Sequence, residues 1–149
     1  MWKKLVCLLS VVAILFGAMG LAGCVNEEAS ARKRINRLTE IEIPTDAKME
    51  YHYRKDLGFA PGRESQYTVF VFENDPTVWL LEKEFTEGRN EEIEKHFTPP
   101  IAFLSSLEIP DEYLAKDFEN DAYLWLYTSG VYFFYSVEKQ MLIVHIQGY

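Results

Sequence analysis

Residues 122–147, AYLWLYTSGVYFFYSVEKQMLIVHIQ, decide the fold. Three runs rich in β-branched and aromatic residues, Ala122–Tyr127, Val131–Val137 and Met141–Gln147, are parted by Ser129-Gly130 and by the turn around Glu138-Lys139. Such side chains favour a pleated backbone. Ser-Gly suits the two-residue hairpin turn whose hand matches strand twist. That turn sets Tyr127 opposite Tyr132, Trp125 opposite Phe134 and Tyr123 opposite Ser136. The simplest continuation pairs Ser136 with Met141, Phe134 with Ile143 and Tyr132 with His145. Side chains alternate across a sheet, so one face carries Leu124, Leu126, Val131, Phe133, Tyr135, Leu142, Val144 and Ile146. The other carries Tyr123, Trp125, Tyr127, Tyr132, Phe134, Met141, Ile143 and His145. Both faces are apolar, whereas an antiparallel sheet with one wet face alternates apolar with polar. The second face therefore has a cover, or it is a binding surface. Tyr123, Trp125, Tyr127, Tyr132 and Phe134 are the candidate binding residues, since rigid rings with polar tips suit sugars and partner proteins. Burial as core is the commoner fate of such residues.

Working outward, Gln66–Phe72 reads as a strand, and Lys48–Arg54 alternates Met49, Tyr51 and Tyr53 against Glu50, His52 and Arg54. These two strands are expected to pair antiparallel across the Gly58, Pro61 and Gly62 loop. Asp75-Pro76 predicts a helix start, with Val78, Leu81 and Phe85 on its buried face and Gly88 as terminator. Asn90 is a cap for a second helix, Glu91–Phe97, stopped by Pro99-Pro100. Residues 101–117 read as irregular, with one helical turn after Pro110, and Ala31–Leu38 as a short helix before Pro44. The expectation is an α+β domain with an antiparallel sheet of about five strands and two to three short helices, in the order α-β-β-α-α-β-β-β.

The N-terminus has a different character. Lys3 and Lys4 precede an apolar run of nineteen residues from Leu5 to Gly23, long enough to enter a bilayer as a helix. The lysines hold its start in the cytoplasm. Leu21-Ala22-Gly23-Cys24 resembles the lipobox of bacterial prolipoproteins. The resemblance covers residues 1–24 only. It implies a diacylglyceryl group on the Cys24 sulfur and cleavage just before Cys24. The expected organisation is a signal peptide over 1–23, a lipidated tether over 24–31 and one domain over 32–149. An uncleaved transmembrane anchor is the competing reading, and either one places the domain outside the cytoplasm. Val25 is not the aspartate associated with inner-membrane retention, so cell membrane and outer membrane both fit.

Removing 23 of 149 residues leaves 126, and the loss of Lys3 and Lys4 takes the formal charge from −8 to −10. A surface that acidic repels phosphate backbones and speaks against nucleic acid as a partner. With Cys7 in the signal and Cys24 lipidated, no thiol is left for a disulfide, a zinc site or a nucleophile. Arg32, Lys33, Arg34 and Arg37 read as a solvated helix face, with Ile35 and Leu38 packed inward.

Candidates for chemistry are few. Glu92 and His96 stand one helical turn apart and both could reach a metal ion, but a third ligand is missing and a surface pair is the simpler reading. His52 is expected on the exposed side of its strand, and His145 against Tyr132. Ser105, Ser106 and Ser129 lack a nucleophile-elbow context, and Gly58 and Gly62 lack phosphate-loop spacing. No cofactor, metal or catalytic set is expected. The sequence favours a membrane-anchored, non-catalytic binding module for an extracytoplasmic protein or glycan. An inhibitor or immunity-type envelope lipoprotein is the alternative, and a small envelope hydrolase a weaker one.

Overall fold

The computed structural model describes residues 27–56, 64–97, 109–115, 118–119 and 122–148. The lipobox, the 57–63 loop, Pro99-Pro100, Ser105 and Ser106 lie outside these residues. The chain divides at Arg34/Ile35 into two units, and the packing that follows is that of the second.

The chain enters through a helix over residues 27–39 (α1), so the described part of the expected tether, from 27 on, is helical. Ile35 is fully buried and Leu38 partly so, as their spacing predicts. Then come β1 (Ala47–Asp56), β2 (Glu64–Phe72), α2 (Thr77–Glu82), β3 (Thr86–Glu87) and α3 (Glu91–Lys95). A 3-10 turn (Asp111–Tyr113) precedes β4 (Tyr123–Thr128), β5 (Val131–Ser136) and β6 (Met141–Ile146). The fold is α+β with one six-stranded antiparallel sheet in the order β1-β2-β6-β5-β4-β3. The β4–β5–β6 meander has the register read from the sequence, from Tyr127 opposite Tyr132 to Tyr132 opposite His145. Its first turn places Ser129 at φ 51° and Gly130 at φ 71°, the two left-handed residues that a twist-matched hairpin needs. The β1–β2 hairpin joins the meander through β2 and β6, with Phe70 opposite Leu142 and Val69 opposite Ile143.

Each face of the sheet has its own core. Leu124, Leu126, Val131, Phe133, Tyr135, Leu142, Val144 and Ile146 pack with Phe70, Phe72, Ile35, Ile41, Ile43, Leu80 and Phe85 on one side. Tyr123, Phe134, Met141 and Ile143 pack with Tyr67, Val69, Ile93, Phe97, Ile109 and Ala115 on the other. The sixth strand, β3, is two residues long, too short to carry a periodicity, and it lies where the sequence suggests the end of a helix.

The buried face of α2 also differs from expectation. Leu80 is 3% exposed, whereas Val78 and Leu81 are 70% and 67% exposed. The expected stripe assumes a helix that continues to Phe85 and ends at Gly88. Instead α2 stops after two turns, with Glu84 in the left-handed region at φ 58°. The Phe85 amide donates back to the Leu80 carbonyl and the Glu84 amide to that of Leu81, at 3.0 Å each. This is a Schellman closure, and its usual hydrophobic contact links Phe85 to Leu80. Phe85 thus reaches the core by a chain reversal, and the helix rotates so that Leu80 follows it inward. Asp75 still serves the first turn by accepting the Thr77 amide at 2.9 Å. Leu80→Ala should lower unfolding free energy by about 2–4 kcal/mol, and Leu81→Ala by less than about 0.5 kcal/mol. Urea denaturation of the two variants checks this, and equal losses would contradict the observed face.

Candidate functional site

The five candidate residues on the second sheet face do not form an open platform. Tyr123 is 3% exposed and Phe134 2%, and their rings stack at 4.8 Å. Both are core, reached by Phe97 of the α3 terminus and by Phe118, each with its centroid 5.5 Å from Phe134. Trp125 and Tyr132 are half-buried, and only Tyr127 is exposed. Two aromatic residues on adjacent strands cannot by themselves reveal whether a helix comes to lie over them. Here α3 together with Ile109, Ala115 and Phe118 supplies that cover.

What positions α3 is a polar network at its start. Asn90 caps it as expected, its Oδ1 accepting the amides of Glu92 and Ile93 at 3.0 and 3.2 Å. One turn on, Glu94 faces the sheet and is only 8% exposed. Tyr123 donates its hydroxyl to Glu94 Oε1 at 2.7 Å and accepts the Asn90 amide at 2.8 Å. Arg89 closes a fork on the same carboxylate, Nε to Oε1 at 3.1 Å and Nη2 to Oε2 at 3.0 Å. Such bidentate, charge-assisted contact is strong and directional. It compensates the desolvation of Glu94, which unpaired would be costly.

The electrostatics follow from this pairing. Hydrogen bonding to Arg89, above all, holds the Glu94 carboxyl below the usual range in spite of its burial. Burial first, and then the Glu94 carboxylate, pushes the Tyr123 phenol up to about 12. At neutral pH this is a fixed carboxylate and a neutral phenol, with both functions of the hydroxyl occupied. It is a poor base beside a poor nucleophile. The network forms one wall of a cleft of about 290 Å³, lined by Glu87, Gly88, Arg89, Phe118, Glu119 and Ala122 together with Tyr123. Sequence reading missed this cleft. Its only local signal is Arg89 and Glu94 astride a capping asparagine, and Tyr123 joins them from 29 residues beyond Glu94 by topology alone.

The histidines are held by neighbouring residues. His145 is fully buried, its Nδ1 lies 3.1 Å from the His96 carbonyl, and its ring neighbours Tyr67, Phe97 and Tyr132. The expected proximity to Tyr132 is present, although His96 stacks on Tyr132 far more closely, at 3.7 Å. Glu92 and His96 interact electrostatically. Glu92 is 2.6 Å from Lys95 Nζ, and no metal-holding group of three ligands occurs among the described residues. His52 is half-buried rather than exposed, with Nδ1 2.9 Å from Thr68 Oγ1, because the antiparallel register sets the two residues opposite each other.

Burial holds the His145 imidazole down to about 4, against 6.5 for a solvated one, and lowers His96 in the same direction. Between these values the unfolded chain binds the extra proton. Stability is therefore full above pH 6.5 and falls as the pH drops toward 4. His145 alone implies a loss of about 2 kcal/mol between pH 7.5 and 5. Over that range the pairings of Asp75, Glu92 and Glu94, all held below their ordinary values, remain largely intact. Urea midpoints at the two pH values check this, and equal midpoints would mean that a solvated imidazole stands at 145. Tyr123→Phe should cost about 1–3 kcal/mol, since the buried Glu94 carboxylate and the Asn90 amide each lose a partner. Thermal unfolding reads that loss directly. No protein-family model, curated protein or solved structure matches the chain.

Proposed function

We propose that the protein is a lipid-anchored extracytoplasmic lipoprotein whose domain is a non-catalytic binding module for an envelope protein or glycan. The observation that carries this reading is the order of features at the N-terminus. Two lysines precede an apolar run, and the run ends in Leu21-Ala22-Gly23-Cys24. A cysteine at that position is what lipid transfer to a sulfur requires, and two or more acyl chains give durable anchoring at about 0.8 kcal/mol per buried methylene. Among the described residues no helix is long and apolar enough to cross a membrane, so in this reading the anchor belongs to the N-terminal segment.

Binding rather than catalysis is supported by how the ionisable groups near the cleft are spent. Arg89 gives Nε and Nη2 to Glu94, which in turn accepts the Tyr123 hydroxyl. The immunity-type alternative draws on the acidic surface, which would steer a basic target.

Cys24→Ser tests the anchor. In a bacterial host the wild-type chain should fractionate with membranes and incorporate labelled palmitate. The variant should lose the label completely and retain an uncleaved N-terminus. Equal labelling of the two chains would remove the lipoprotein reading.

A further inference from the structure

The cleft beside α3 holds groups that the helix-capping network leaves over. Arg89 spends Nε and Nη2 on Glu94, and its Nη1 stands 3.9 Å from Glu119 Oε1. That separation is too long for a hydrogen bond. Glu119 and Glu87 are exposed carboxylates on the rim. Phe118 meets Tyr123 edge-to-face at 5.9 Å and supplies an apolar wall. One concavity thus presents a guanidinium donor held from behind, two carboxylate acceptors and an aromatic surface.

The geometry points to a binding site for one neutral pyranose unit of an envelope glycan, of the N-acetylhexosamine kind, with a sugar hydroxyl bridging Arg89 Nη1 and Glu119. This rests on reading the domain as a non-catalytic binding module. A hydroxyl both donates and accepts, so it can satisfy a guanidinium and a carboxylate that stand too far apart to satisfy each other. An ammonium or a metal cation offers no acceptor to Arg89 Nη1. A phosphate or carboxylate ligand meets Glu87, Glu119 and a chain of net charge −8. An uncharged polyol accepts from Arg89, donates to the carboxylates and brings no charge of its own. Its C–H face suits the Phe118 wall, and an acetamido N–H offers a donor to Glu87. A volume near 290 Å³ lies at the small end of ligand sites and suits a single ring. Glu94 fixes Arg89 before any ligand arrives, which lowers the ordering cost of binding.

Gly88 provides a reporter. Its carbonyl accepts the Trp125 indole N–H at 3.1 Å, so the indole resonance reports on a residue of the cleft wall. The full chain in detergent micelles is titrated with N-acetylglucosamine and with its β-1,4-linked tetramer, and followed by nitrogen–proton correlation spectra. The Gly88 amide and the Trp125 indole should shift saturably with both probes. Glu119→Ala should weaken binding roughly tenfold with an unchanged melting temperature. Absence of any shift, or undiminished affinity in Glu119→Ala, overturns the site. Shifts confined to Tyr127 and Tyr132 overturn the cleft and leave the binding-module reading standing. Cleavage of the tetramer accompanied by shifts at Gly88 upholds the cleft and ends the non-catalytic reading.

Discussion

A sheet that is apolar on both faces cannot end at its own surface. This constraint, set by the alternation in β4, β5 and β6, governs the rest of the domain, because each face requires a separate cover and each cover a means of attachment. On the first face the cover is hydrophobic in nature: Ile35, Ile41 and Ile43 from the chain around the end of α1, with Leu80 and Phe85 from the Schellman closure of α2. On the second it is Ile109, Ala115 and Phe118 together with α3, which is only five residues long. A helix that short has almost no intrinsic stability and is held by what it touches.

That attachment explains the placing of the polar groups in the second core. At the α3 start, Asn90, Glu94, Arg89 and Tyr123 satisfy one another. At its end, the His96 carbonyl meets the buried His145 ring. Between them Ile93 and Phe97 fill the space over Phe134 and Ile143. The helix is therefore pinned at both ends by residues of the sheet it covers. The same pinning fixes Tyr123, which forms part of the wall of the cleft beside the start of the helix.

Much of this architecture is legible in the sequence, and the illegible part has a definable cause. The meander register follows from a two-residue turn and strict alternation, both local properties, and so does the Asn90 cap. The buried face of α2 does not. Val78, Leu81 and Phe85 have helical spacing, but Glu84 takes a left-handed conformation without being glycine, and nothing in the local pattern announces that. The fate of the aromatic face is equally hidden. Tyr123, Trp125, Tyr127, Tyr132 and Phe134 present one pattern to a reader of sequence, yet two are sealed, two half-covered and one exposed. The difference is decided by α3 and by Phe118, which arrive from elsewhere in the chain.

The cleft arises from the same logic. Tyr123 could cap α3 through its hydroxyl alone, and a neutral partner at residue 94 would suffice to receive it. A glutamate there introduces a buried charge, which then demands Arg89 as its counter-ion. The guanidinium has five donors in a planar fork, and one carboxylate can engage only one edge of it. An arginine drawn in to neutralise a buried carboxylate thus brings surplus donors to the surface beside it. Where that surface is concave, acidic at its rim and walled by an aromatic ring, the surplus is what a polyhydroxylated ligand can use. The charge at residue 94, beyond what holding the helix requires, is what gives the concavity its polar wall.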